Sequence, residues 1–148
     1  MDMPGIDDMV CFSLYAASRS TTQAYRRVLE PWHMTYPQYL VLVALWTEGP
    51  LSVRELGDRL ALDSGTLSPL LKRLESRGLL TRTRRSDDER VVDVALTGAG
   101  SSMRHDMADV PRQIAQCMGI GMEAARALLD SLHELTAHVQ ASNEATVS

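Results

Sequence analysis

The stretch LSVRELGDRL, residues 51 to 60, is followed three residues later by SGTLSPLLKRLESRGLL, residues 64 to 80. In the first, Ser52 and Glu55 have the spacing of a capping box, and Val53, Leu56 and Leu60 form an apolar stripe. In the second, Leu67, Leu70, Leu71 and Leu74 recur at i, i+3, i+4 and i+7, with Asp63 placed as N-cap and Gly78 placed just past the last turn. Two short helices joined by a tight turn predict a helix-turn-helix. The other face of the second helix carries Ser64, Thr66, Ser68, Lys72 and Arg73, residue types that reach phosphates or base edges. Pro69 should remove a backbone hydrogen bond to Gly65 and kink this helix.

Residues 81–84 and 92–96 alternate with the period of two expected of strands, and the polar stretch RSDDER separates them. They predict a β-hairpin with a charged tip, the wing of a winged-helix domain. Its arginines Arg82, Arg84, Arg85 and Arg90 suit a DNA minor groove or the phosphates beside it. The fold class expected is therefore mainly α with a small hairpin, a winged helix-turn-helix flanked by further helices.

Those flanks are helical by periodicity. Asp7 to Leu29 carries Cys11, Leu14, Ser18, Thr21, Tyr25 and Val28 on one face. A second helix starts after Thr35 with Pro37 in its first turn and stops at Gly49-Pro50. Thr97 should cap a helix running through Met107 and Ile114, bent or interrupted at Pro111. After the break at residues 119–121 a last helix aligns Leu128, Leu132, Leu135 and Val139, before a frayed polar tail, ASNEATVS. The organisation expected is a dimerisation helix in 1–34, a DNA-binding lobe in 35–97 and further dimerisation helices in 98–148, all one compact unit. The flanks carry more apolar stripe than so small a core covers, which predicts a homodimer.

With 148 residues the chain is about the size of one domain. The net charge of −4 is unevenly spread: residues 1–50 sum to −2, residues 51–92 to +2 and residues 93–148 to −4. A cationic patch on an acidic protein suits a polyanion met at one face. No stretch is long and apolar enough to span a membrane, and the opening MDMPGIDD has no leader pattern, so a cytoplasmic protein is expected. In that compartment Cys11 and Cys117 are expected as free thiols or a conditional redox pair. A cysteine on an apolar helix face is by itself more often a small buried hydrophobe than a reactive thiol. His33, His105, His133 and His138 show no metal-ligand spacing; no metal and no cofactor are expected.

Two helices, a basic hairpin and helices at both ends resemble the MarR family of bacterial transcription regulators. The wing sequence DERVVDVALT, residues 88 to 97, resembles that family's signature, and Asp88 and Arg90 match its Asp and Arg. CFSLYAASRSTTQAYRRVLEP, MTYPQYLVLVALW and LDSGTLSPLLKRLE resemble the organic hydroperoxide resistance branch over about residues 7 to 100. The resemblance implies a homodimeric repressor of a palindromic operator in double-stranded DNA. It implies that Cys11 is oxidised by organic hydroperoxides while Tyr25 and Tyr36 hydrogen-bond to it in the reduced state. It implies Arg90 as the minor-groove contact and Cys117 as a resolving thiol.

A thiol meets peroxide as the thiolate, which helix N-termini and hydrogen-bond donors favour. Cys11 and Tyr25 are 14 positions apart on one helix, about 21 Å at the α-helical rise, so tyrosines serving Cys11 must come from a partner chain. Three rival readings have different signatures. A regulator switched by a small aromatic ligand would respond without Cys11, a thiol peroxidase would turn over peroxide, and a purely structural helical dimer would not bind DNA.

Overall fold

The computed structural model describes residues 3–146. A 3-10 turn, Ile6–Asp8, leads into α1 (Val10–Val28), and a second 3-10 turn, Glu30–Trp32, leads into α2 (Tyr36–Glu48). Then follow β1 (Leu51–Ser52), α3 (Val53–Leu60), α4 (Ser64–Ser76), β2 (Leu80–Arg84), β3 (Val92–Leu96), α5 (Gly98–Asp106), α6 (Val110–Met118) and α7 (Met122–Thr146). By contact the chain divides into two units, residues 1–114 and 115–148.

The first unit is built on the caps that local chemistry favours. Thr35 and Gln38 close a capping box on α2, and Ser52 and Glu55 close one on α3, each pair satisfying amide groups that a bare helix end leaves open. Asp63 caps α4 through the Thr66 amide at 2.8 Å. Gly78, at φ 72, takes the left-handed turn that releases the chain into β2. Leu56, Leu67, Leu71, Leu74, Leu80 and Val94 are all buried and pack with Val41, Leu42 and Leu45 of α2 in a single core.

The sheet has three strands in the order β1-β3-β2, both pairings antiparallel. Leu80 pairs with Leu96 and Arg84 with Val92 along the hairpin, and Leu51 with Val94 at the added strand. That two-residue strand was not expected, because so short a segment carries no alternation to read. Four other expectations need correction. The first helix begins at Val10, with residues 6–8 wound separately as a 3-10 turn. The fourth runs unbroken from Ser64 to Ser76 with Pro69 inside it, on the exposed side of the helix. The interruption after Thr97 falls at residues 107–109, and Pro111 sits in the first turn of α6, a position that needs no amide. The polar tail is helical through Thr146.

α1 buries only Ala24 of its side chains, although its apolar stripe runs its whole length. In the second unit α7 buries none, and Leu129 and Val139 are each 51 % exposed. Among the described residues no helix is long and apolar enough to cross a membrane, and no cluster of His, Cys, Asp or Glu suits a metal ion.

Candidate DNA interface and thiol site

α4 is exposed along the face that carries its hydroxyl and basic residues. Ser64 and Ser68 point into a cleft of about 990 Å³ that α3, α4 and the hairpin enclose, with Arg54, Arg82, Arg84, Asp88 and Arg90 along its walls. Lys72 and Arg73 lie on the other flank, where they share a groove with His33, Gln38 and Arg77. Thr66 spends its hydroxyl on the Asp63 carboxylate at 3.0 Å, so it serves the cap. The polar residues of α4 therefore line two flanks rather than one surface. Arg54 was missed in the sequence, where the only signal is its place opposite the Val53, Leu56 and Leu60 stripe.

The hairpin arginines divide by what holds them. Arg82, partly buried at the hairpin root, donates Nε and Nη2 to Glu75 Oε2 at 3.1 and 2.8 Å and its amide to Oε1 at 3.2 Å. Those bonds hold the Glu75 carboxyl below the usual carboxylate range and join α4 to the sheet. Arg85 forms a bidentate pair with Asp93 at 2.8 and 2.9 Å and lowers that carboxyl in the same way. Arg84 donates to the Glu89 carbonyl. Arg90 is 91 % exposed at the tip, steadied by Asp88 through Nε at 3.1 Å. Arg82 thus braces the hairpin, and Arg90 projects from it.

Cys11 is not among the residues that line the cleft or the groove beside α4. Cys11 is the second residue of α1, exposed, on a helix end that no side chain caps. Its first-turn amides are left to an anion or to water. Tyr25 and Tyr36, one near the end of α1 and the other the first residue of α2, are brought together. Their rings stack with centroids 3.9 Å apart and planes 16° from parallel. Tyr39 lies 5.8 Å from Tyr25 and meets Trp46 edge-on at 6.2 Å. Burial, then the neighbouring Tyr36 and Tyr39, pushes the Tyr25 phenol up to about 12. A hydrogen bond between the Tyr25 and Tyr36 side chains pushes it in the same direction. Cys117, in the second unit, is exposed near the end of α6.

The profile of the MarR family matches residues 34–92, the segment that holds α2, the two helices of the helix-turn-helix, β2 and the tip of the hairpin. The transcriptional regulator TtmR of Methylorubrum extorquens is 47% identical over 131 residues, 88% of this chain and 67% of that protein. The organic hydroperoxide resistance transcriptional regulator of Bacillus subtilis is 40% identical over 136 residues, 87% of this chain and 92% of that protein. This chain belongs to the MarR family. Its fold agrees: reduced AbfR bound to DNA superposes with a TM-score of 0.76 at 33% identity, over 90% of this chain and 94% of that one. AbfR in its disulfide-formed state gives 0.65 at 35% identity, over 88% and 92%. The protein is thus a DNA-binding transcriptional regulator of the MarR type, with α3 and α4 as its helix-turn-helix and the β2–β3 hairpin as the wing of a winged-helix fold.

Proposed function

We propose that this MarR regulator is a cytoplasmic homodimeric repressor that senses organic hydroperoxides at Cys11 and releases operator DNA when that thiol is oxidised. The observation that carries this reading is the stacked Tyr25–Tyr36 pair. Two phenols from separate elements share one site, their ring centroids 3.9 Å apart. The pair lies about 21 Å along α1 from the thiol of its own chain, so it serves Cys11 only across a two-fold axis. A second copy would also cover the apolar faces that α1 and α7 leave open, including Val10 at 63 % exposure. The name of the Bacillus relative supports the peroxide signal.

The chemistry balances at one thiol. The Cys11 thiolate attacks an oxygen of the hydroperoxide, the O–O bond breaks, and the departing alkoxide takes a proton to leave as the alcohol. Sulfur is oxidised by two electrons to the sulfenic acid while the peroxide is reduced. Condensation with Cys117 of the other subunit then forms an S–S bond and expels water. One equivalent of peroxide is consumed per Cys11–Cys117 disulfide formed, and the output is release of DNA. Non-reducing electrophoresis after stoichiometric cumene hydroperoxide tests the second step. A covalent dimer should form in the wild type and be absent from Cys117→Ser and Cys11→Ser; a band that persists without Cys117 would rule out that pairing.

On the DNA side, Ser64 and Ser68 on the cleft flank of the recognition helix face the major groove, Lys72 and Arg73 on the other flank reach the phosphates along its edge, and Arg90 with Arg84 reaches the minor groove beside it. Arg85 and Asp88 set the shape of the hairpin tip, as Thr66 and Arg82 set the helix start and the wing root. Arg90→Ala is expected to weaken operator binding about 10-fold and to flatten the salt dependence by about one phosphate contact. Arg82→Met should instead lower thermal stability, since it removes both guanidinium bonds to Glu75 and leaves only the amide bond between α4 and β2 at that point. Equal salt slopes for Arg90→Ala and wild type would remove the wing from the DNA interface.

A further inference from the structure

The recognition helix is fastened to the turn that precedes the tyrosine site. Arg77 follows the last turn of α4, and its guanidinium reaches back to the chain between α1 and α2. Nη2 donates to the Trp32 carbonyl at 2.6 Å and Nη1 to the His33 carbonyl at 3.1 Å. These successive carbonyls lie where the 3-10 turn closes, with His33 held in the left-handed region at φ 48. That conformation is uncommon for a residue with a side chain and persists where its surroundings fix it.

From this turn to the tyrosines the backbone has little freedom. Met34 is buried, Thr35 and Gln38 lock the first turn of α2 by their capping box, and Tyr36 opens that helix. Tyr36 then stacks on Tyr25. A displacement of the pair must carry the start of α2 with it, and the start of α2 carries the two carbonyls that Arg77 grips. Apolar packing around Leu42, Leu45, Leu67 and Leu71 also joins α2 to α4 and is non-directional. A planar fork on two carbonyls fixes orientation as well as distance.

We infer that Arg77 is a positioning residue that transmits the state of the Tyr25–Tyr36 site to the recognition helix. The inference rests on the proposed sensing role of Cys11. It separates two effects of removing Arg77. A brace or a phosphate contact would change the DNA affinity of reduced and oxidised protein alike, whereas a transmitting residue changes their ratio.

The test measures operator affinity of full-length wild type, Arg77→Gln and Arg77→Lys, each reduced and after one equivalent of cumene hydroperoxide, with Cys11 thiol loss followed in parallel. The wild type is expected to lose about 100-fold in affinity on oxidation, the glutamine variant about 10-fold or less, and the lysine variant an intermediate amount because one ammonium still holds one carbonyl. Thiol loss should proceed at the same rate in all three. If the glutamine variant loses as much affinity as wild type, the Arg77 inference is overturned and the sensing role stands. If wild type itself loses none while its thiol is consumed, both are overturned.

Discussion

Cys11→Ser is expected to bind the operator as tightly as wild type and to stay bound when hydroperoxide is added. The duplex would be one selected from a random pool by the reduced protein. Wild type should lose about 100-fold in affinity after one equivalent of cumene hydroperoxide, while the serine variant changes by less than about threefold. The physical grounds are local. Cys11 is exposed at the second position of α1, so exchanging sulfur for oxygen disturbs no core packing. A serine hydroxyl is neither ionised at neutral pH nor oxidised by peroxide, so the switch is removed and the fold is kept. A serine variant that still releases DNA on peroxide would place the signal elsewhere and favour a regulator switched by a small ligand.

Gly100→Ala should be the most damaging single methyl in the first unit. A Cβ at Gly100 would overlap the Leu79 carbonyl oxygen and crowd the Leu96 side chain. That carbonyl accepts the Thr97 amide, and the Gly100 carbonyl accepts the Trp46 indole N–H at 2.9 Å. Backbone on both sides is therefore already committed, and no flexible side chain is available to move aside. The expected loss is roughly 3 kcal/mol or more in urea unfolding, beyond ordinary overpacking because the obstacle is main chain. Gly98→Ala is the matched control. It meets open space in the same helix and should be neutral or stabilising by about 0.5 kcal/mol. Equal stabilities for the two variants would refute the close approach of α5 to the start of β2.

How much of this was legible in the sequence depended on how local the cause was. Ser52 with Glu55, Asp63 before α4, and Gly78 after it act within four residues, and the structure uses each as the spacing predicts. The break at residues 107–109 was misplaced because Pro111 reads as a breaker, yet a proline is well suited to the first turn of the helix that follows. The hairpin was legible; its third strand was not, since Leu51 and Ser52 become a strand only through Asp93 and Val94.

The site divides in the same way. Arginine-rich composition marked the wing, but whether Arg82 is free or bound depends on Glu75, seven residues away on another element. Arg77 carried no signal at all, because its partners are carbonyls 44 and 45 residues away. The pairing of Tyr25 with Tyr36 entered only through a family resemblance, and the structure supplies the contact.

The claim on which the rest depends is that each Cys11 is served by the tyrosines of the other chain. Mixed dimers purified through two different tags measure this directly, with one subunit carrying Cys11→Ser and the other Tyr25→Phe with Tyr36→Phe. The single remaining Cys11 then sits on the chain without its tyrosines and faces a partner that has them. Its rate of loss with cumene hydroperoxide should equal that of wild type. In the complementary dimer, where one chain carries all three substitutions and the other none, the same thiol should react about 10-fold more slowly. The reverse order of rates would show that the tyrosines act on the thiol of their own chain and would contradict the account.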